Sequence, residues 1–236
     1  MGMNVQPKIS DYDVFGCTFV KNNMPRDRFK SLLRFLHFAD NNAADPGDRL
    51  YKLRAILDAF NANCSATLVP GAKVVIDESM VPWRGRLGFR QYLPGKTHKY
   101  GVKLFKLCTV SAYTLRLSVY TGAAQGHHEI SMVASVVHQL MRQFTGEGRT
   151  LFAGNYYTSV PVAESLLQKR THLCGTLRSH RRGLPKEVTT RKLKKGQAIG
   201  RVSAKGVKVV KWVDKRPVLM ISTTPATTRP CSPRAR

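Results

Sequence analysis

The sequence predicts an α/β fold in which a helical N-terminal segment precedes a mixed sheet with flanking helices. Three observations lead there. Val74, Val75 and Ile76 form a β-branched apolar run, as a strand buried in the middle of a sheet requires. Apolar residues recur at helical spacing on both sides of it, at Phe29, Leu32, Leu33 and Leu36 and at Ile130, Val133, Val137, Leu140 and Phe144. Beyond residue 70 the elements run strand, strand, strand, helix, strand, helix, strand, an order that builds a sheet covered by helices.

Taken in order, residues 1–22 have mixed polarity and no period. Pro25 opens a helix carrying the Phe29 to Leu36 stripe. Pro46-Gly47 turns the chain into a second helix with Leu50, Leu53, Leu57 and Phe60. These two helices make a segment over 1–70 whose aromatics are expected in a core. Strands are expected at 73–78, 98–109 and 114–121, with a turn and a short strand around Gly85 and Gly88. A loop at 122–126 leads to a helix that Gly146 and Gly148 end. A strand at 150–153, a helix at 161–170 and a strand at 172–177 complete a unit over 71–178. Cys108 and Cys174 fall inside apolar strands and are assigned to the core. Past 179 the pattern weakens. Val207, Val209, Trp212 and 218–221 fit two short strands within 179–222, and the Thr-, Pro- and Arg-rich stretch 223–236 is expected to be a disordered tail.

The chain has 236 residues, 42% hydrophobic, and a net charge of +25 from 39 Lys and Arg against 14 Asp and Glu. That excess points to a polyanionic partner, most directly nucleic acid, and away from an enzyme of small neutral metabolites. It is concentrated in residues 151–236, with 19 basic and 3 acidic side chains, including His180-Arg181-Arg182 and Arg191-Lys192-Leu193-Lys194-Lys195. Such runs contact phosphate, serve as nuclear import signals, or are solvated loop. The five cysteines, at 17, 64, 108, 174 and 231, have no zinc spacing and indicate free thiols in a reducing compartment. His127 and His128 are adjacent and point apart on a regular element, which argues against a joint metal site. There is no long apolar run or signal peptide, so a soluble, intracellular chain without a membrane partner is expected.

The most informative stretch is Val74 to Lys103. Asp77 and Glu78 stand where the first strand leaves the core, followed by Arg84, Arg86, Arg90, Lys96, Lys99 and Lys103. An acid there, beside basic residues, is either a structural ion pair or a place where a divalent metal and a phosphate meet. The wording Asp77-Glu78-Ser79-Met80, then Gly85-Arg86, then Gln91 to Lys103, resembles the catalytic-domain signature of the piggyBac transposases and the genes derived from them. Asn23 to Phe29, Leu36 to Asn41 and Asp48 to Arg54 before it, and Val119 to Gly122, Gly154 to Ser159, Gly175 to Arg178, Lys211 to Arg216 and Ile221 to Thr223 after it, stand in the family's order. The resemblance implies a ribonuclease-H-like core, interrupted by a partial β-rich insertion over 179–222 and truncated at the C-terminus.

It also implies a chemistry. Transposases of this superfamily hold two divalent metals, Mg²⁺ in the active family, between aspartates. Asp77 matches the first. Gly154 stands where the second belongs, and the chain stops before the third. Glycine offers no donor, Glu78 faces the opposite side of a strand from Asp77, and Asp214 belongs to a hairpin turn. The expectation is a transposase-derived, nuclear pseudoenzyme that needs no metal now and retains non-specific DNA binding. Its DNA contacts are expected at Arg84, Arg86, Arg90, Lys96, Lys99, Lys103, Arg181 and Arg182. The alternatives are a degenerate transposon product without a retained role, or an interaction protein that dimerises with a full-length transposase and inhibits it; beside DNA, the partners expected are a second copy of the chain or a full-length transposase.

Overall fold

A computed structural model describes residues 23–43, 45, 47–95, 97–122 and 129–225. The expectations for Lys96, for His127 and His128, for residues 1–22 and for 226–236 lie outside the described residues. The chain divides into two compact units, Met1–Ile56 and Leu57–Arg236.

In the first unit, helix α1 spans Arg26–Phe35, started by Pro25, whose carbonyl accepts from Phe29 N. It buries no residue, and Leu32, Leu33 and Leu36 are about half exposed, so the expectation of a core there is not met. An apolar stripe is buried only when a second element covers it. Asp48 organises the following turn by accepting from Leu50 N and pairing with Arg54 at 2.6 Å. The Arg54 bond, then the Leu50 amide, holds the Asp48 carboxyl below its ordinary pKa.

Helix α2 (Arg54–Thr67) carries most of its length in the second unit. There follow β1 (Lys73–Pro82), β2 (Gln91–Tyr92), β3 (Tyr100–Thr109), β4 (Thr114–Val119), helix α3 (Glu129–Met141), β5 (Thr150–Ala153), helix α4 (Val160–Gln168) and β6 (His172–Thr176). Helix α5 (Lys186–Thr190) and strands β7 (Ala198–Val202), β8 (Lys208–Val213) and β9 (Pro217–Ser222) complete it. The nine strands among the described residues join one mixed sheet in the order β2-β3-β1-β5-β6-β9-β8-β7, with β4 also on the outer side of β3. The pairs β1–β5 and β5–β6 are parallel; the others are antiparallel.

Alternation along the strands decides which side is core. Val74 and Ile76 of β1, Phe105 and Leu107 of β3, Leu151 of β5 and Leu173 of β6 are all at most 1% exposed. They pack against Val133, Val137 and Leu140 of α3 and Val162, Ala163 and Leu166 of α4. Each fully buried Val, Leu or Ile contributes about 1.5–3 kcal/mol. Cys108 and Cys174 occupy the alternate positions and are half-buried, not core. At the outer edge, Asn61 of α2 donates to and accepts from the Leu117 backbone, at 3.0 and 2.8 Å, as a neighbouring strand would.

Three boundaries differ from expectation. Helix α3 ends at Met141, and Gly146 and Gly148, both at positive φ, belong to the loop after it. Residues 179–222 hold three strands and a short helix rather than two strands, because β7 has a mostly exposed pattern that lacks apolar alternation. Those strands also extend the main sheet, since β9 pairs with β6. Thr223 is buried and exchanges bonds with Leu173, so its residue belongs to the fold rather than to a tail.

Candidate functional site at the strand ends

Parallel pairing of β1 with β5 ends at Ile76 and Ala153. The next residues, Asp77 and Gly154, therefore leave neighbouring strands side by side, about 5 Å apart by the spacing of a sheet. Asp77 is exposed. Its Oδ1 accepts from Glu78 N at 2.8 Å, and no described basic side chain forms an ion pair with it. Its cross-strand neighbour on β3 is Lys106, which the sequence reading missed because register is invisible before the strands are paired. Gly154 is exposed too, and a Cβ placed on it meets no atom within 4 Å.

Glu78 points to the other face, as alternation predicts. There it accepts from the Tyr157 hydroxyl at 3.2 Å. Tyr157 is 2% exposed, and burial first, then the Glu78 charge, raises its pKa above the ordinary phenol range. This bond ties β1 to the turn that follows β5. Gly175 of β6 lies against the same place: a Cβ there would stand 2.0 Å from the Ala153 carbonyl oxygen. Only glycine permits that approach without moving a strand.

Cations hold the turn from outside. Arg178 Nε donates to Asn155 Oδ1 at 3.3 Å, and Arg181 Nη2 donates to the carbonyls of Asn155 and Tyr156 at 3.3 and 2.7 Å. Arg181 Nε is buried without a hydrogen-bond partner. The Lys103 ammonium lies 4.3 Å from the Tyr156 ring centroid and 4.8 Å from that of Phe105. Of the nominated basic residues, then, Lys103 and Arg181 engage the turn and Arg182 is exposed nearby in sequence. Arg178 and Tyr157 sit inside motifs that the sequence reading recognised but did not nominate.

The remaining nominated residues are elsewhere. β1 runs on to Pro82, so Arg84, Arg86, Arg90 and Lys99 lie on an arm between β1 and β3. The arm begins roughly 20 Å along the strand from Asp77. Arg90 is pinned there, donating to the carbonyls of Arg84 and Gly85 at 3.0 and 3.2 Å. Among the described residues no three or more His, Cys, Asp or Glu side chains gather as metal ligands would. No described helix is long and apolar enough to cross a membrane.

Comparison with known proteins bears on the whole chain. The family described as Transposase IS4 matches residues 1–234. The human PiggyBac transposable element-derived protein 3 is 31% identical over 209 residues, covering 85% of this chain and 35% of that protein. The human PiggyBac transposable element-derived protein 2 is 27% identical over 214 residues, covering 86% of this chain and 36% of its own length. The chain thus spans about a third of these relatives. A piggyBac transposase solved in a synaptic complex with hairpin DNA superposes with a TM-score of 0.79 at 28% identity, over 87% of this chain and 45% of that one.

Proposed function

This chain belongs to the piggyBac transposase family, and from that membership we propose that it is a transposase-derived protein that binds DNA through its phosphates and no longer cuts it. The observation that carries the reading is Gly154, standing beside Asp77 at the end of the neighbouring parallel strand. Two divalent ions need several carboxylates converging from oxygen donors. The strand ends offer one exposed carboxylate, at Asp77, with Glu78 on the opposite face and bonded to Tyr157. That donor set does not fit a metal pair, so no catalytic step is assigned to it.

The strand order β4-β3-β1-β5-β6, with α3 and α4 on one face, supports a ribonuclease-H-like core over 71–178. In the same reading 1–70 is the helical entry segment, and 179–222 is a β-rich insertion whose strands prolong the sheet. DNA as partner is supported by the net charge of +25 and by the DNA complex of the similar transposase. A nuclear location follows from that partner and from the basic runs at 180–182 and 191–195.

Binding is tested by fluorescence anisotropy of a labelled duplex titrated with the full chain across a salt series. The expected result is EDTA-insensitive binding whose log affinity falls linearly with log salt, by about 0.9 per phosphate contact. The same duplex, incubated with Mg²⁺ or Mn²⁺, is expected to remain uncut. Absence of binding at low salt would refute the DNA reading. Nicks abolished by Asp77→Ala would refute the loss of cleavage.

A further inference from the structure

We propose that the arm between β1 and β3 is a stacking platform for unpaired nucleobases, so that the protein prefers single-stranded or frayed DNA to duplex. The proposal rests on the DNA-binding reading above and adds what part of DNA this arm takes.

Three large aromatics on the arm face solvent: Trp83 is 48% exposed, Tyr92 54% and Tyr100 50%. A half-exposed indole and two half-exposed phenols within one short arm form an apolar surface that folding does not use. Their positions are nonetheless built. Tyr92 and Tyr100 are cross-strand partners of β2 and β3, with ring centroids 4.7 Å apart. The Arg90 guanidinium carbon lies 5.4 Å from the Tyr100 centroid, and Arg90 itself is fixed by two carbonyls of the turn. Trp83 is held by its backbone, whose N–H donates to Tyr100 O at 3.3 Å, and by Gly85. A Cβ on Gly85 would stand 2.9 Å from the indole Nε1, so the ring lies over a cradle that only glycine leaves open.

The charge around these rings selects the occupant. Residues 83–100 contain five Lys or Arg and no acid. Arg84, Arg86 and Lys99 have no described side-chain partner and are exposed. Aromatic faces interleaved with guanidinium and ammonium groups suit a strand that offers bases and phosphates together. A duplex offers the phosphates but keeps its bases stacked on one another, so the rings gain nothing from it. An apolar protein partner would desolvate the exposed Arg84, Arg86 and Lys99 without compensation.

The sequence holds two tryptophans, Trp83 and Trp212, so the variant Trp212→Phe leaves Trp83 as the sole indole reporter. The full chain carrying that change is titrated with an oligothymidylate of about 12 nucleotides, and with a duplex of equal phosphate count, in EDTA. The expected result is quenching of Trp83 by the single strand alone, with anisotropy showing tighter single-strand binding. Trp83→Ala and Tyr92→Ala are each expected to weaken single-strand binding roughly tenfold while leaving duplex binding within about twofold; Trp83→Phe retains most of it. Equal loss on both DNAs, or no loss on either, overturns the platform and leaves duplex binding standing. Polyglutamate of matched charge quenching Trp83 as strongly would identify a protein-docking surface and also overturn it. Absence of binding to both DNAs removes this proposal together with the DNA-binding reading.

Discussion

Two glycines one strand apart are expected to respond oppositely to a side chain. At Gly175 a Cβ would stand 2.0 Å from the Ala153 oxygen and 2.9 Å from Thr158 Cγ2, so β5 and β6 must part. Overpacking of this kind costs about 2–3 kcal/mol. At roughly 2–4 °C per kcal/mol for a chain of this length, Gly175→Ala lowers Tm by about 5–10 °C. At Gly154 a Cβ meets nothing within 4 Å and φ is not in the left-handed region, so Gly154→Asp changes stability by less than about 0.5 kcal/mol. Gly154→Asp also sets a second carboxylate beside Asp77. Mn²⁺ at a hundredfold excess over its Kd would then stabilise that variant by about 2.7 kcal/mol, and leave the parent and Gly154→Asp/Asp77→Ala unchanged. The assay is thermal melting by circular dichroism with Mn²⁺ or EDTA. If Gly154→Asp melts as low as Gly175→Ala, the open space at Gly154 is refuted. If it folds normally yet gains no Asp77-dependent shift in Mn²⁺, the side-by-side placement of the two strand ends is refuted.

Arg149, whose side chain is 6% exposed, donates to Pro70 O, Phe144 O and Glu147 Oε2 at 3.3, 3.4 and 2.5 Å. Glu147 is 63% exposed, so the ion pair itself adds little; the stranded carbonyls and the lost packing make Arg149→Ala cost about 2–4 kcal/mol in urea melts, and a loss under 0.5 would contradict this. His138, bonded to Ser165 Oγ at 3.1 Å, has its pKa pushed below the ordinary 6.5 by burial and then by Lys169. The unfolded chain therefore takes up a proton that the folded chain resists. Stability is full above about pH 6.5 and falls as pH drops through that value; His138→Gln should flatten the Tm profile between about pH 7 and 5, and an unchanged slope would refute the assignment.

What could be read from the sequence was whatever local chemistry determines. The run Val74 to Ile76, the stripe Val133 to Leu140 and the strand Thr150 to Ala153 carry their own periods, and each forms where its pattern falls. The resemblance implied that Asp77 and Gly154 share a site, and the parallel pairing of β1 with β5 sets them side by side. Non-local facts were not legible. Lys106 becomes the cross-strand neighbour of Asp77 only through the β1–β3 register. Lys103, expected among phosphate contacts, lies over Phe105 and Tyr156 because its strand places it on their face. The apolar stripe of α1 showed a helix correctly and a core wrongly, since amphipathicity states what a helix can bury and not whether anything faces it.

The scaffold of the strand ends does not depend on the carboxylate that Gly154 lacks. The turn after β5 is fixed by the Tyr157 bond to Glu78, by Thr158 donating to Thr176 O, and by Arg181 on two backbone carbonyls. None of these contacts involves a side chain at 154, and none involves Asp77. An aspartate at 154 would add a negative charge at the end of β5 and leave Lys103, Arg178 and Arg181 in place around the turn. The local field would shift by one charge while the fold remains supported. The side chain at 154 and the shape of the turn are separable for a physical reason: the bonds that hold the turn are made by backbone carbonyls and by residues on the face opposite Asp77.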